Sequence, residues 1–424
     1  MSLVRLTKLL DTAWPALALV LLVAFVVRLG YVLTLENALN VTFEADPITY
    51  DQLARNLLAG QPYVGASFYF PAGTENPTAL WDPLYPLFLA AIYALVGHDF
   101  LAVRLVQVAL AVASCGLLYV LGRSIFGPRT ALVGAGFAAI YPFFIYYTGQ
   151  LLTETLFTFL MLFLLTLAHY VAEGRFRGAT AVVALGITAG LTVLARAEAL
   201  YFAVILVAAL AWWAVPLLSS GAPDLRARLI SLVALVAVFA ATLAPWVVFN
   251  YARFDRLFVS TKLGYNLYKY YHPRMTPDQR VRSDDIPLPD LTGLSEPERE
   301  DRLLSEGLGF MTDDPARTVR FMAAKAGLLF KLTPSNEINR RYAVVSLLSY
   351  GVLVPFMVIG AVMSLRRWPL TWPLLLWVAM GSASGILVFA GIRLRMRIEP
   401  ILLLFAAVGV VKLGQWLWSR RTGL

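Results

Sequence analysis

Residues 14–35, WPALALVLLVAFVVRLGYVLTL, form an apolar run long enough to cross a bilayer as a helix, and runs of similar length recur through most of the chain. Backbone facing lipid must satisfy its own hydrogen bonds, so such runs form helices rather than open strands. Composition agrees: of 424 residues, 59% are hydrophobic and only 14% charged, with a mean hydropathy of +0.71. A soluble protein of this size would carry about a quarter charged residues. The sequence therefore predicts an all-α polytopic membrane protein, built as a single domain over residues 1–424.

The net charge of +9 does not point to nucleic acid, because much of the excess lies in short loops between apolar runs. Cys115 is the only cysteine and lies inside such a run, so no intrachain disulfide is possible. His98, His169 and His272 are scattered without metal-ligand spacing. No metal site is expected from spacing, although an acidic site could hold a divalent cation. Arg5 and Lys8 precede the first run, which is long for a signal peptide and reads as a retained span.

Further spans are expected near 101–121, 130–147, 151–171, 179–194, 199–218, 230–249, 342–364, 370–390 and 398–417, ten in all with the first. The run Trp81–Gly97 is short and broken by Pro83 and Pro86. If it does not cross, the basic loops at Arg5/Lys8, Arg123/Arg129, Arg175/Arg177, Arg226/Arg228, Arg366/Arg367 and Arg420/Arg421 all fall on one side. The positive-inside rule makes that side cytoplasmic. Two polar regions, 36–97 and 250–341, then form outer loops carrying interfacial helices.

The first loop contains Glu44 to Gly60, EADPITYDQLARNLLAG, the first place where acidic residues gather. Pro47 suits a first helical position, Asp46 a cap, and Gly60 a stop. Tyr50, Leu53, Ala54, Leu57 and Leu58 make one apolar stripe, while Asp51 and Arg55 pair on another face. In the second loop, Ser295-Glu296-Pro297-Glu298 is a capping box. Asp314-Pro315 opens another helix, with a stripe of Val319, Met322, Ala323, Ala326 and Phe330 that suits a membrane surface.

Three charged sites sit at outer ends of spans: Glu154, the pair Arg196/Glu198, and Arg393-Leu394-Arg395-Met396-Arg397-Ile398-Glu399-Pro400. Arginine near lipid costs roughly 2.5–3.5 kcal/mol on insertion scales, and basic loops are disfavoured outside. A cluster kept against both pressures calls for an anionic partner, and guanidinium suits bidentate phosphate contact. A helix-dipole acid is the plain alternative for Glu154, and a structural ion pair is the better reading of Arg196/Glu198. Lipid-headgroup binding alone could explain the arginine cluster. Carboxylates near that cluster suggest proton removal from an acceptor while arginines steady a departing phosphate.

In this order the chain resembles the C-type (GT-C) membrane glycosyltransferases, in particular bacterial lipopolysaccharide and exopolysaccharide sugar transferases related to protein O-mannosyltransferases and lipid A aminoarabinose transferases. The resemblance covers nearly the whole chain. Asp46 to Gly60 is similar to the first outer-loop motif, and Pro83-Leu84-Tyr85-Pro86-Leu87-Phe88-Leu89 to the second juxtamembrane helix. Thr153-Glu154-Thr155-Leu156-Phe157 is similar to the second acidic site. Pro245 to Tyr251 with Gly264 to Tyr268 resembles the start of the large outer loop, and Arg393 to Pro400 the basic motif before the final span. Two positions depart from the pattern: Trp81-Asp82-Pro83 where relatives carry a basic residue before the proline, and Arg397 where they often carry proline.

The resemblance implies a GT-C-like fold and an enzyme of the plasma (inner) membrane. It would transfer a hexose or pentose from a polyprenyl-phosphate-linked donor, with inversion, to a lipid, glycan or protein hydroxyl at the outer face. It implies Asp46 as general base or acceptor-orienting acid and Glu154 as the second acid. Arg393 and Arg395 would bind the donor phosphate, Arg397 with them, and Tyr50, Tyr265 and Asn266 would shape the cavity. Beyond donor and acceptor, membrane lipids are the implied partners. The rival class is a transporter or flippase of lipid-linked glycans, for which mid-membrane charges and broken helices repeated in two halves would be expected; neither is found. A catalytically silent glycan-binding relative is compatible with the same motifs.

Overall fold

The computed structural model describes residues 13–39, 46–65, 77–213, 225–279, 281, 283–333 and 340–422. Arg5, Lys8, Glu44 and the centre of the Gly/Pro/aromatic stretch after Gly60 lie outside them. Among the described residues the chain is helical apart from loops and one isolated bridge, Val64 to Pro77.

Among the described residues seven helices are long and apolar enough to cross a membrane. They are α1 (Ala13–Leu33), α4 (Phe100–Phe126), α7 (Glu154–Ala172), α10 (Leu225–Phe254), α14 (Tyr342–Leu365), α15 (Trp368–Leu387) and α17 (Glu399–Thr422). The pair α5 (Pro128–Ile140) and α6 (Pro142–Thr148), bent by 55° at its break, is an eighth if the two helices are one broken span rather than a re-entrant loop. The shorter apolar helices α8 (Ala179–Ala195) and α9 (Leu200–Trp213) fill two more expected positions, so ten is an approximate count. Helix α3 (Leu84–Val96) has 13 residues. At 1.5 Å per residue it is about 20 Å long, against a ~30 Å hydrocarbon core.

The break between α5 and α6 has a local cause. Pro142 has no N–H and disfavours helical backbone at Tyr141, which is extended (φ −69°, ψ 118°). The carbonyls freed at the break are taken by Arg28 of α1, buried at 1% exposure, whose guanidinium donates to Ala139 at 2.6 Å and Ala138 at 2.8 Å. Elsewhere the spans pack closely through small residues: a Cβ on Gly360 of α14 would meet the carbonyl oxygen of Phe405 on α17 at 1.8 Å.

The polar regions supply α2 (Asp46–Leu58) and α3 from the first, then α11 (Leu263–Tyr271), α12 (Glu296–Asp313) and α13 (Pro315–Leu329) from the second. Helix α2 begins at Asp46, and its Tyr50, Leu53 and Ala54 are buried, whereas Leu58 at the end of the expected stripe is exposed. Asp51 bonds Arg55 at 3.0 Å and also accepts from Tyr93 of α3 at 2.9 Å, which locks α2 to α3. The capping box at Ser295/Glu298 is present. Glu296 between them is buried and accepts from the Ala79 N–H at 2.8 Å and the Thr261 hydroxyl at 2.7 Å, so one carboxylate ties the two regions together. Gly264 permits the close approach of α11 to α12, since a Cβ there would lie 2.3 Å from the Glu300 carbonyl.

Helix α13 turns a different face inward from the one its hydropathy suggests. Thr318, Phe321, Lys325 and Leu329 are buried, while Val319 and Phe330 are exposed. The apolar stripe is therefore left facing away from the protein, and a lysine is the inward residue.

Candidate active site

The charged residues singled out in the sequence converge at one end of the bundle. Asp46 opens α2, Glu154 opens α7, and Arg393 lies on the short helix α16 (Ile392–Arg395) ahead of the last span. One guanidinium joins both acids: Arg393 donates from Nη1 to Asp46 Oδ2 at 2.6 Å and from Nε to Glu154 Oε1 at 2.6 Å. Glu154 also accepts from Arg196 at 3.1 Å, and Arg196 donates onward to Glu198 at 2.7 Å and to the Thr153 hydroxyl at 2.9 Å. Arg397 completes the row through an ion pair with Glu198. The result is an alternating line, Asp46–Arg393–Glu154–Arg196–Glu198–Arg397, in which three carboxylates meet three guanidiniums.

Solvent reaches this line on both sides of Glu154, with Glu198 the most exposed member at 28% of its side chain. Side-chain exposure is 23% at Asp46 and 18% at Arg393 but 2% at Glu154. Glu154 is thus the buried anchor, with Asp46 and Glu198 the partly exposed carboxylates on either side of it. Tyr50, one turn along α2, is packed edge-on against Trp81 at 5.2 Å and Tyr85 at 5.1 Å. Burial, with Asp46 adding to it against the opposing pull of Arg393 and Arg196, pushes the Tyr50 phenol well above its ordinary value. It stays neutral and forms a wall of the site. At Arg196, burial is outweighed by Glu198 and Glu154, which hold the guanidinium firmly charged.

Arg395 is placed apart from this line. Its side chain is fully buried, bonded at 2.6 Å to the equally buried Glu399, and its guanidinium lies 3.5 Å from the Tyr350 ring centre while donating to the Lys331 carbonyl at 2.8 Å. Helical spacing explains the separation. At 100° per residue, positions two apart point about 200° away from each other. Arg393 and Arg395, both on α16, therefore point apart, with Arg395 directed into the protein, and Arg397 joins the line from the turn that follows.

Tyr265 and Asn266 lie on α11. Tyr265 is buried, its N–H donates to Glu300 at 3.3 Å and Lys269 lies over its ring; the N–H of Asn266 donates to the Lys262 carbonyl at 3.2 Å. Tyr265 is set into the packing of α11 on α12. A cavity of about 30 Å³ lies beneath the site, lined by Glu154, Arg28, Cys115, Thr155 and Met396. It has room for a water or two rather than a sugar.

Among the described residues no group of three or more His, Cys, Asp or Glu is placed to hold a metal ion. The three carboxylates of the line each face guanidinium, which as arranged is a poor donor set for a cation.

A second pair adjoins the line and was not legible as part of it. Asp82, just before α3, accepts from Lys262, just before α11, at 3.2 Å, and Lys262 also lies 5.4 Å from the Trp81 ring centre. Lysine 180 positions away from its acid carries no sequence signal of pairing.

Residues 76–253 match the family model of dolichyl-phosphate-mannose-protein mannosyltransferase. The archaeal oligosaccharyltransferase AglB of Archaeoglobus fulgidus, solved with an inhibitory peptide and a dolichol-phosphate, superposes with a TM-score of 0.58 at 18% identity over 97% of this chain and 51% of that one. The chain has the fold of a GT-C membrane glycosyltransferase. The same Archaeoglobus fulgidus enzyme tethered to an acceptor peptide gives a TM-score of 0.57 at 16% identity, with 97% and 51% covered. ArnT from Cupriavidus metallidurans, apo, gives 0.39 at 16% identity over 94% of this chain and 77% of that one. The GT-C fold seen here thus spans about half the length of the archaeal enzyme. No curated protein matches the chain.

Proposed function

We propose that this protein transfers a sugar from a polyprenyl-phosphate-linked donor to a hydroxyl of a lipid, glycan or protein, at the outer face of the plasma (inner) membrane. The observation that carries the reading is the single arginine, Arg393, held between two carboxylates from separate loops at the mouth of a GT-C bundle. A phosphate entering there meets a guanidinium that can turn to it, because Arg393 and the Asp46 it pairs with are both partly exposed to solvent. Drawing Arg393 toward phosphate leaves the Asp46 carboxylate free to accept a proton.

The transfer is then an inverting displacement. The acceptor oxygen forms the new bond to the anomeric carbon as its proton passes to Asp46, and the anomeric carbon–oxygen bond to phosphate breaks. The leaving polyprenyl phosphate departs with that electron pair and gains one negative charge, which Arg393 steadies. Glu154 holds Arg393 in place from the buried side, and Arg196, Glu198 and Arg397 hold Glu154. In this mechanism Arg395 contributes to structure rather than to donor binding, and Tyr50 contributes a neutral wall.

Mass spectrometry of glycolipids and envelope glycans from cells with and without the protein should show loss of one sugar modification. Asp46→Asn expressed in the deletion background should fail to restore it while inserting normally. Full restoration by that variant would overturn Asp46 as the base.

A further inference from the structure

Among the described residues the ionic line balances its charges. Asp46, Glu154 and Glu198 are balanced by Arg393, Arg196 and Arg397, so a phosphate that gains charge as its bond to the sugar breaks finds no spare cation there. One further cation stands next to it. Lys262 has 32% side-chain exposure, more than Arg393 at 18%, Arg196 at 15% or Arg397 at 5%. It is tied to the site's wall, since its ammonium lies over Trp81 and Trp81 packs edge-on against Tyr50 of the helix that carries Asp46. Its charge also reaches the line: burial opposes ionisation of Glu198, but Arg196 and Arg397, with Lys262 adding to them, hold that carboxyl below its usual range.

Its partner is a weak one. Asp82 is 5% exposed, and its Oδ1 has no hydrogen bond from a described residue, so the carboxylate is desolvated and half satisfied. Burial pushes the Asp82 carboxyl up, with Lys262 pulling the other way. A buried carboxylate stranded without its cation is costly, and Asp82 avoids that cost by taking up a proton from solvent as the 3.2 Å contact is exchanged. Lysine is a point charge on a flexible stem and can swing without the fixed fork that commits an arginine.

We propose that Lys262 is a second ligand for the donor phosphate, parked on Asp82 and handed over when the phosphate enters. This rests on the donor reading above and adds a binding residue to it. The exchange breaks no covalent bond of protein or donor: the ammonium leaves one carboxylate oxygen for a phosphate oxygen, and the carboxylate takes a proton from solvent.

The test is binding of a polyprenyl monophosphate to the full-length protein in lipid nanodiscs. Failure of the unaltered protein to bind would sink the donor reading itself. If it binds, Lys262→Met, which keeps the stem over Trp81, should weaken affinity about tenfold. Lys262→Arg should hold it within about threefold. Asp82→Asn should tighten binding by about threefold or more, because the lysine is released. A polyprenol without phosphate should bind the parent and the Lys262→Met variant alike. Unchanged affinity in Lys262→Met, or weakening by Asp82→Asn alongside it, would show a pair that only ties the two loops together. Should Lys262→Met fold poorly, the direction of the Asp82→Asn effect decides the matter alone.

Discussion

Arg393 and Asp46 are 347 positions apart in the chain and 2.6 Å apart in space. The same guanidinium holds Glu154 at 2.6 Å, so a loop ahead of the last span closes over acids from the beginning of two earlier helices. The arrangement has consequences that single substitutions can read.

Replacing Arg393 with alanine should cost about 10²–10³ in transfer rate, the range for removing one preorganised donor to developing charge. Arg393→Lys should recover only part, because an ammonium cannot span Asp46 and Glu154 as Nε and Nη1 do. Steady-state transfer from a labelled polyprenyl-phosphate sugar measures both. Activity of Arg393→Ala within about threefold of the parent would remove Arg393 from the mechanism.

Asp46 and Glu154 should separate under mutation. Asp46→Asn should lose transfer yet keep donor affinity and thermal stability, since Asp46 is partly exposed. Glu154→Gln leaves Arg393 and Arg196 without their shared buried carboxylate, and removing one partner of a buried ion pair costs about 3–5 kcal/mol. Thermal melts alongside donor binding distinguish the two. Equal destabilisation by both changes would contradict the division into a reachable acid and a buried anchor.

Arg395 should behave as a structural residue. Arg395→Met strands the fully buried Glu399 and should lower the melting temperature, while donor affinity in the surviving folded protein stays at the parental level. The double change Arg395→Met with Glu399→Leu should recover most of the loss, because a buried ion pair can be replaced by apolar residues at little net cost. A specific loss of donor affinity without loss of stability would return Arg395 to the phosphate site.

Lys325 should make stability depend on pH. It is fully buried on α13, donates to the Val388 carbonyl at 2.7 Å and lies 3.7 Å from the Tyr271 ring centre. Burial lowers it from 10.5 to about 7. Between those values the unfolded chain binds a proton that the folded chain does not, so stability rises with pH through that window. The rise is at most about 1.4 kcal/mol per unit for one proton. Below about 7 both states are protonated and the contribution is flat at its least favourable value. Melting temperature measured from pH 6 upward should climb, and Lys325→Met should flatten the slope; an unchanged slope would discount Lys325 as its source.

Much of this protein was determined by its sequence alone. Apolar runs near twenty residues had to be helices, because lipid offers the backbone no other partners. The run at Trp81–Gly97 was marked as short by its two prolines, and α3 is 13 residues long. Glu154, Arg196, Glu198 and the Arg393 cluster stood out because charge near lipid is costly. Tertiary structure decided how those charges were shared. Arg196/Glu198 read as an isolated turn pair, and packing makes them the middle of a six-residue line. The three arginines of 393–397 read as one cluster, yet the half-turn between Arg393 and Arg395 sends Arg395 to Glu399, while Arg393 and Arg397 join the line. On α13 hydropathy marked one face and the fold buried another, with Lys325 inward. Asp82 stood out only as an acid where relatives carry a base, and its pairing with Lys262 gave no signal, since an ion pair between two loops exists only once both are docked. Hydropathy is a property of each segment, whereas the pairing of charges belongs to the distances between segments, and those are set by packing.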